Sequence, residues 1–137
     1  MYKTIMLPID LERVDQLKKA VSVGADLAKH YHAELFAVGV TISGPSAVAH
    51  NPSEYTEKLE AFAAEQTSLH GVQFKAKAMV SHDPAVDIDA TLEKAGSDIG
   101  ADLVVMASHV PGFVDYIFAS RAGYLASHSD LSVFVVR

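Results

Sequence analysis

The sequence predicts an α/β fold, a doubly wound parallel sheet with helices on both faces. Two observations predict it. Short apolar runs, apolar on both faces as buried parallel strands are, recur along the chain. They alternate strictly with stretches of helical spacing, giving the order β-α-β-α-β-α-β-α-β. At 137 residues, with 50% of them hydrophobic and 20% charged, the chain reads as one globular domain covering 1–137.

The elements follow in order. Ile5-Met6-Leu7-Pro8-Ile9 is a compact apolar run ending at Asp10. Pro8 lacks an amide donor, which is tolerable near a strand's last residue, where pairing stops. Val14, Leu17, Val21, Gly24, Leu27, Ala28 and Tyr31 recur at helical spacing. Leu35 to Val40 is the second strand, and the Gly, Ser, Pro and Asn of residues 41–52 form a loop. Ser53 is the expected cap of the next helix, with Tyr55, Leu59, Phe62, Ala63 and Leu69 inward and Gly71 as the stop. Phe74 to Val80 alternates with Lys75 and Lys77, as an edge strand does. Asp83-Pro84 opens a helix carrying Val86, Ile88, Leu92 and Ile99. Leu103 to Met106 is the strongest strand. A Pro/Gly loop, a short helix near Arg121 to His128 and a last strand, Val133 to Val136, complete the chain.

Composition excludes several classes of function. There is no Cys, hence no disulfide framework, Cys-ligated zinc, iron–sulfur cluster or thiol nucleophile. Eleven basic residues against seventeen acidic ones give a net charge of −6, which argues against nonspecific binding to nucleic acid or anionic membranes. No targeting or membrane-spanning run is visible, so a cytoplasmic protein is expected.

In a doubly wound sheet, ligands sit beyond the carboxyl ends of the strands, where the strand order reverses. The candidates are Asp10, Val40-Thr41, Ser81-His82-Asp83 and Ala107-Ser108-His109. The loop from 107 to 120 then feeds a helix near Ser120, whose free amides and hydroxyl could bind phosphate. Asp10 could touch ribose or a phosphate-bound metal, or simply cap a turn. Ser120 could equally be a helix N-cap. His30 and His32 suit a helix C-terminus better than zinc. The pairs Ser81-His82, Ser108-His109 and Ser127-His128 lack the geometry of a hydrolytic triad, and no G-x-S-x-G is present.

Leu7-Pro8-Ile9-Asp10, Asp83-Pro84-Ala85, the segment Ala101-Asp102-Leu103-Val104-Val105-Met106-Ala107-Ser108-His109 and the closing Ser132-Val133-Phe134-Val135-Val136-Arg137 carry a resemblance. In this order and over essentially the whole chain, they resemble the universal stress protein family. The resemblance implies a Rossmann-like five-stranded parallel sheet in order 3-2-1-4-5. It implies binding of ATP or a related adenine nucleotide, with Mg2+ accompanying the phosphates, and no efficient catalysis. It also implies a homodimer formed by antiparallel pairing of the last strands, Val133, Phe134, Val135 and Val136, and an unidentified regulatory protein partner. The implied nucleotide site comprises Pro8, Ile9, Asp10, Val40, Thr41, Ala107, Ser108, His109, Val110, Gly112, Ala119, Ser120 and Arg121. Adenine would lie near Ile9 and Val40, ribose near Asp10, and phosphates near Ser108, His109 and Ser120.

The chain departs from the family's phosphate loop, G-x2-G-x9-G-[S/T]. Ala107, Val110 and Ala119 stand at the three glycine positions, the segment from Val110 to Ala119 is one residue shorter, and only Ser120 matches. Ala107-Ser108-His109, Pro111 and Ser120 fit a short-loop branch, apart from Ala119. Gly112 is out of register, and Arg121 is the nearest basic residue. A β-branched Val110 at positive φ would be strained, and the Ala119 methyl would crowd a phosphate. The alternative reading is therefore a nucleotide-free dimeric interaction module. A slow ATPase would need His109 to activate water. A response-regulator receiver would need an aspartate after strand three, where Val80-Ser81-His82 stands. A flavodoxin would need small residues where Leu11-Glu12-Arg13-Val14 stands.

Overall fold

In the computed structural model residues 1–108 and 115–137 are described, with the backbone alone for 115–120. Thr4–Ile9 forms β1, the strand on which the rest is laid. A 3-10 turn at Val14–Gln16 leads into α1, Lys18–Tyr31. Then come β2 (Glu34–Ile42), α2 (Pro52–His70), β3 (Phe74–Ser81), α3 (Pro84–Ile99), β4 (Leu103–Ala107), α4 (Asp115–His128) and β5 (Ser132–Val136). All pairings are parallel, in the order β3-β2-β1-β4-β5. The predicted fold class and strand order are both present.

The sequence pattern of β1 explains the two-layered covering. Ile5, Leu7 and Ile9 enter one apolar cluster with Leu17, Ala20, Val21 and Ala25 of the α1 region and Tyr55, Leu59 and Ala63 of α2. Met6 enters the other, with Leu92 and Ala95 of α3 and Ala122 and Leu125 of α4. Ile5, Met6 and Leu7 are wholly buried. A strand flanked by two others and roofed by helices on both faces needs apolar residues at every position, which is why the run does not alternate.

Element boundaries differ from expectation in three places, and Leu69 differs in burial. Asn51, not Ser53, caps α2. Its side-chain oxygen accepts a hydrogen bond from the Glu54 amide at 2.8 Å, and Pro52, which has no amide hydrogen to satisfy, fills the first helical position. Leu69, expected inside, is 68% exposed, because the last turn of α2 runs past the core. β2 extends to Ile42, two residues beyond Val40, pairing Thr41 with Val80 and Ile42 with Ser81. α4 begins at Asp115, well before Arg121, since no Gly or Pro interrupts the chain between Gly112 and Gly123. Ser120 therefore lies in the second turn of α4 and is not its N-cap.

Other signals are realised as read. Gly71 ends α2 at φ 66°, a left-handed conformation that costs glycine little. Asp83 caps α3 by accepting from the Ala85 amide, with Pro84 next. β3 is an edge strand, and Lys75 pairs with Glu34 at 2.6 Å. Val86, by contrast, is exposed. The β1–β2 ladder runs to Ile9 and Gly39, but the β1–β4 ladder stops at Met6 and Val104. Pro8 therefore lies where pairing on one side has ended.

Asp102 braces the amino-terminal edge of the sheet. Its carboxylate accepts from the amides of Lys3 (2.9 Å) and Thr4 (3.1 Å), and its backbone bonds to Thr4 of β1 and Ser132 of β5. The side chain thus fixes the start of β1, and the backbone of the same residue ties in the starts of β4 and β5. Asp102→Ala leaves two amides without that partner and is expected to lower unfolding free energy by roughly 1–3 kcal/mol. Urea titration checks this through a lower midpoint at unchanged slope; an unchanged midpoint would contradict the bracing role.

Candidate functional site

Strand order reverses at β1, with β2 on one side and β4 on the other. β1 and β4 both continue past their last mutual pair, β1 to Ile9 and β4 to Ala107. Their carboxyl ends therefore part, and the residues that follow them face a crevice. Asp10 follows β1 directly. Its Oδ1 accepts from the Glu12 amide at 2.9 Å, closing a turn, and its Oδ2 pairs with Arg13 Nη1 at 2.8 Å. The expected turn-capping role of Asp10 is realised, and its carboxylate remains part-exposed at the crevice.

Pro8 is half-buried and Ile9 buried at the end of β1. Val40 is half-buried and packs toward the α3/α4 face. Thr41 is buried. Ala107 closes β4 against Val136, and the Ser108 amide donates to the Val136 carbonyl at 2.8 Å. That bond commits the Ser108 amide to the sheet and leaves its hydroxyl as the group that could meet a ligand. His109, Val110 and Gly112 lie outside the described residues. Ala119 and Ser120 are placed by backbone only, in α4.

Arg121 is the positive group that α4 brings to this end. Its Nε stands 3.7 Å from Asp89 Oδ1, and only 17% of its side chain is exposed. Burial pushes the guanidinium below its ordinary value, while Asp89 and then Asp10 pull it back up. Asp10, Asp89 and Arg121 therefore share one electrostatic neighbourhood. Asp89 Oδ1 is buried and accepts no hydrogen bond, and the Ser81 hydroxyl, at the end of β3, is likewise buried without a partner. A buried carboxylate oxygen without a donor is costly.

Sequence reasoning missed Asp89. The signal was its spacing: it follows Ile88 directly and precedes Leu92 by three, so it flanks the inward face of α3. Tyr55 was read as core alone. It roofs Gly39, where any side-chain carbon would run into its ring and hydroxyl. Among the described residues no group of three His, Asp or Glu side chains could hold a metal. An open groove at the opposite end of the sheet, between the C-terminal ends of α3 and α4, contains none of the predicted site residues.

Burial first, and the charge of Asp10 second, raise the Tyr55 phenol well above its ordinary 10.0. Glu93 first, and then burial, raise Tyr124, whose hydroxyl donates to Glu93 at 3.3 Å. The folded state thus holds protons that the unfolded chain releases near pH 10, and stability falls as pH climbs through that value. Spectrophotometric titration is expected to show Tyr55 and Tyr124 ionising above the ordinary value. Tyr55→Phe should remove a raised step from the titration; a titration unchanged by that substitution would contradict the burial of Tyr55.

Comparison with known proteins agrees with this fold. The family model described as the universal stress protein family matches residues 1–137. The chain is 29% identical to universal stress protein G of Escherichia coli O157:H7, with 100% of both chains covered. A universal stress protein solved in complex with cAMP superposes with a TM-score of 0.70 at 16% identity, covering 99% of this chain and 97% of that one. Another, from Archaeoglobus fulgidus in complex with dAMP, gives a TM-score of 0.69 at 14% identity, covering 99% and 98%.

Proposed function

The chain belongs to the universal stress protein family, and from that premise we propose that it is a regulatory protein that binds an adenine nucleotide without turning it over efficiently. The observation that carries this reading is the parting of β1 and β4 beyond Met6 and Val104, with Asp10, Asp89 and Arg121 gathered at the opening. Relatives of the same fold were solved with cAMP and dAMP, ligands that share an adenine base and one phosphate. Adenine would contact backbone groups at Val40 and near Ile9. Ribose hydroxyls would donate to Asp10. The phosphate end would face Ser108, His109, Ser120 and Arg121.

Efficient hydrolysis needs a positioned base or a metal-activated water. Among the described crevice residues, Asp10 is committed to a turn and an ion pair with Arg13. The role proposed is therefore ligand sensing, with the bound state read by another protein. A second reading, an interaction module without nucleotide, draws on that same commitment of Asp10 and on the alanine and valine at the loop's glycine positions. Titration of the purified protein with AMP and ATP by calorimetry separates the two. Saturable heat and a rise in Tm at millimolar ligand are expected, and Asp10→Ala should weaken binding by about tenfold, the worth of one or two hydrogen bonds. No heat and no thermal shift with either nucleotide would contradict nucleotide binding.

The dimer is proposed on different grounds. β5 is the edge strand beside β4, and Phe134 and Val135 are 44% and 43% exposed. An apolar edge without Lys or Pro is a template for pairing, and a twofold copy of the same strand, antiparallel, would satisfy both edges. Sedimentation is expected to show a dimer at micromolar concentration and a shift toward monomer in Val135→Lys. A dimer unmoved by that substitution would place the interface elsewhere.

A further inference from the structure

α3 starts at the carboxyl end of β3, and α4 follows the carboxyl end of β4. Asp89 lies in the second turn of α3 and Arg121 in the second turn of α4, each a few residues below the sheet's carboxyl edge. Ile88 and Leu92 of α3 and Ala122 and Leu125 of α4 pack on the same face of the sheet. The Asp89–Arg121 contact thus spans the gap between the two helices, on the side of the crevice where Val40 packs and the phosphate end of a nucleotide would lie. One step further down the helices, Tyr124 and Glu93 form a second polar link across the same gap.

The upper link differs from an ordinary clip. Its 3.7 Å separation is longer than a hydrogen bond, and the facing carboxylate oxygen is buried without any donor. The guanidinium is largely withdrawn from water, so it feels its neighbours strongly. The charged side chains that the contacts place at this opening are Asp10, Glu12, Arg13, Asp89 and Arg121, three acidic against two basic. A phosphate approaching Arg121 therefore meets a cation that Asp89 already neutralises, in a neighbourhood with no positive surplus among the described side chains. A triphosphate brings more negative charge into that setting than a monophosphate does, and each added charge is opposed by Asp89 and Asp10.

We propose that Asp89, by holding Arg121, makes this crevice select adenine ligands carrying a single phosphate over the triphosphate. The proposal rests on the nucleotide-binding reading above and adds to it a residue that sets ligand charge. Asp89 is a specificity-determining residue acting through Arg121.

The test is the ratio of affinities for AMP and ATP, measured by calorimetry on the full chain at fixed ionic strength without divalent cations. The unmodified protein is expected to bind AMP more tightly. Asp89→Asn keeps the shape and removes the charge, and should move the ATP-to-AMP affinity ratio toward ATP by about tenfold. Asp89→Glu keeps the charge and should preserve the preference for AMP, even if packing suffers. Equal weakening of both nucleotides in Asp89→Asn, with a lower Tm, would make the pair a structural clip and overturn the proposal. So would a ratio unchanged by the substitution, or tighter binding of ATP by the unmodified protein. Absence of binding by any adenine nucleotide is a distinct result, which overturns the nucleotide reading itself and this proposal with it.

Discussion

The fold depends on covering β1 on both faces. Ile5, Met6 and Leu7 are wholly buried, with odd positions facing α1 and α2 and Met6 facing α3 and α4. Because parallel strands require crossover helices, burying both faces of this strand forces helices onto both sides of the sheet. The chain then has to leave β1 in one direction and return on the other side of it through β4. That reversal is what opens the crevice. A stability requirement at the centre of the sheet thus places the functional opening at its carboxyl edge.

The two ends of the sheet have divided labour. At the amino-terminal edge, Asp102 is fully engaged with backbone groups of β1 and β5, which fixes strand starts. At the carboxyl edge, polar groups are only partly engaged. Asp10 has its turn and Arg13, whereas Asp89 Oδ1 and the Ser81 hydroxyl have no hydrogen-bond partner. Folding has satisfied the first set internally and left the second with unmet capacity. Unmet polar capacity inside a protein is unfavourable, so the carboxyl edge is the less settled end of the sheet.

Much of the fold was legible because it is written in local signals. Runs such as Leu103 to Met106 announce buried strands, and Gly71 and Asp83-Pro84 mark helix ends by backbone chemistry that acts within a few residues. The misread boundaries were competitions between equally good local signals. Asn51 and Ser53 are both capping residues, and Pro52 between them decides the matter, since proline suits the first position of the helix. Ser120 starts a helix only if Arg121 to His128 is its full length; no Gly or Pro breaks the helix as far back as Asp115. The strand-end residues Asp10, Val40 and Thr41 could be named from topology alone, and Pro8 and Ile9 from the family resemblance. Asp89 could not, because its meaning comes from Arg121, thirty-two positions later and on another helix.

The most direct measurement is a crystal structure of the protein grown with AMP. The expected result is density for the nucleotide beyond the ends of β1 and β2, with the base against the backbone at Val40 and near Ile9, the ribose at Asp10 and the phosphate directed toward α4 and Arg121. A well-ordered crevice with no nucleotide at saturating ligand, or a nucleotide seated instead in the groove between the C-terminal ends of α3 and α4, would contradict the assignment of function to the carboxyl edge.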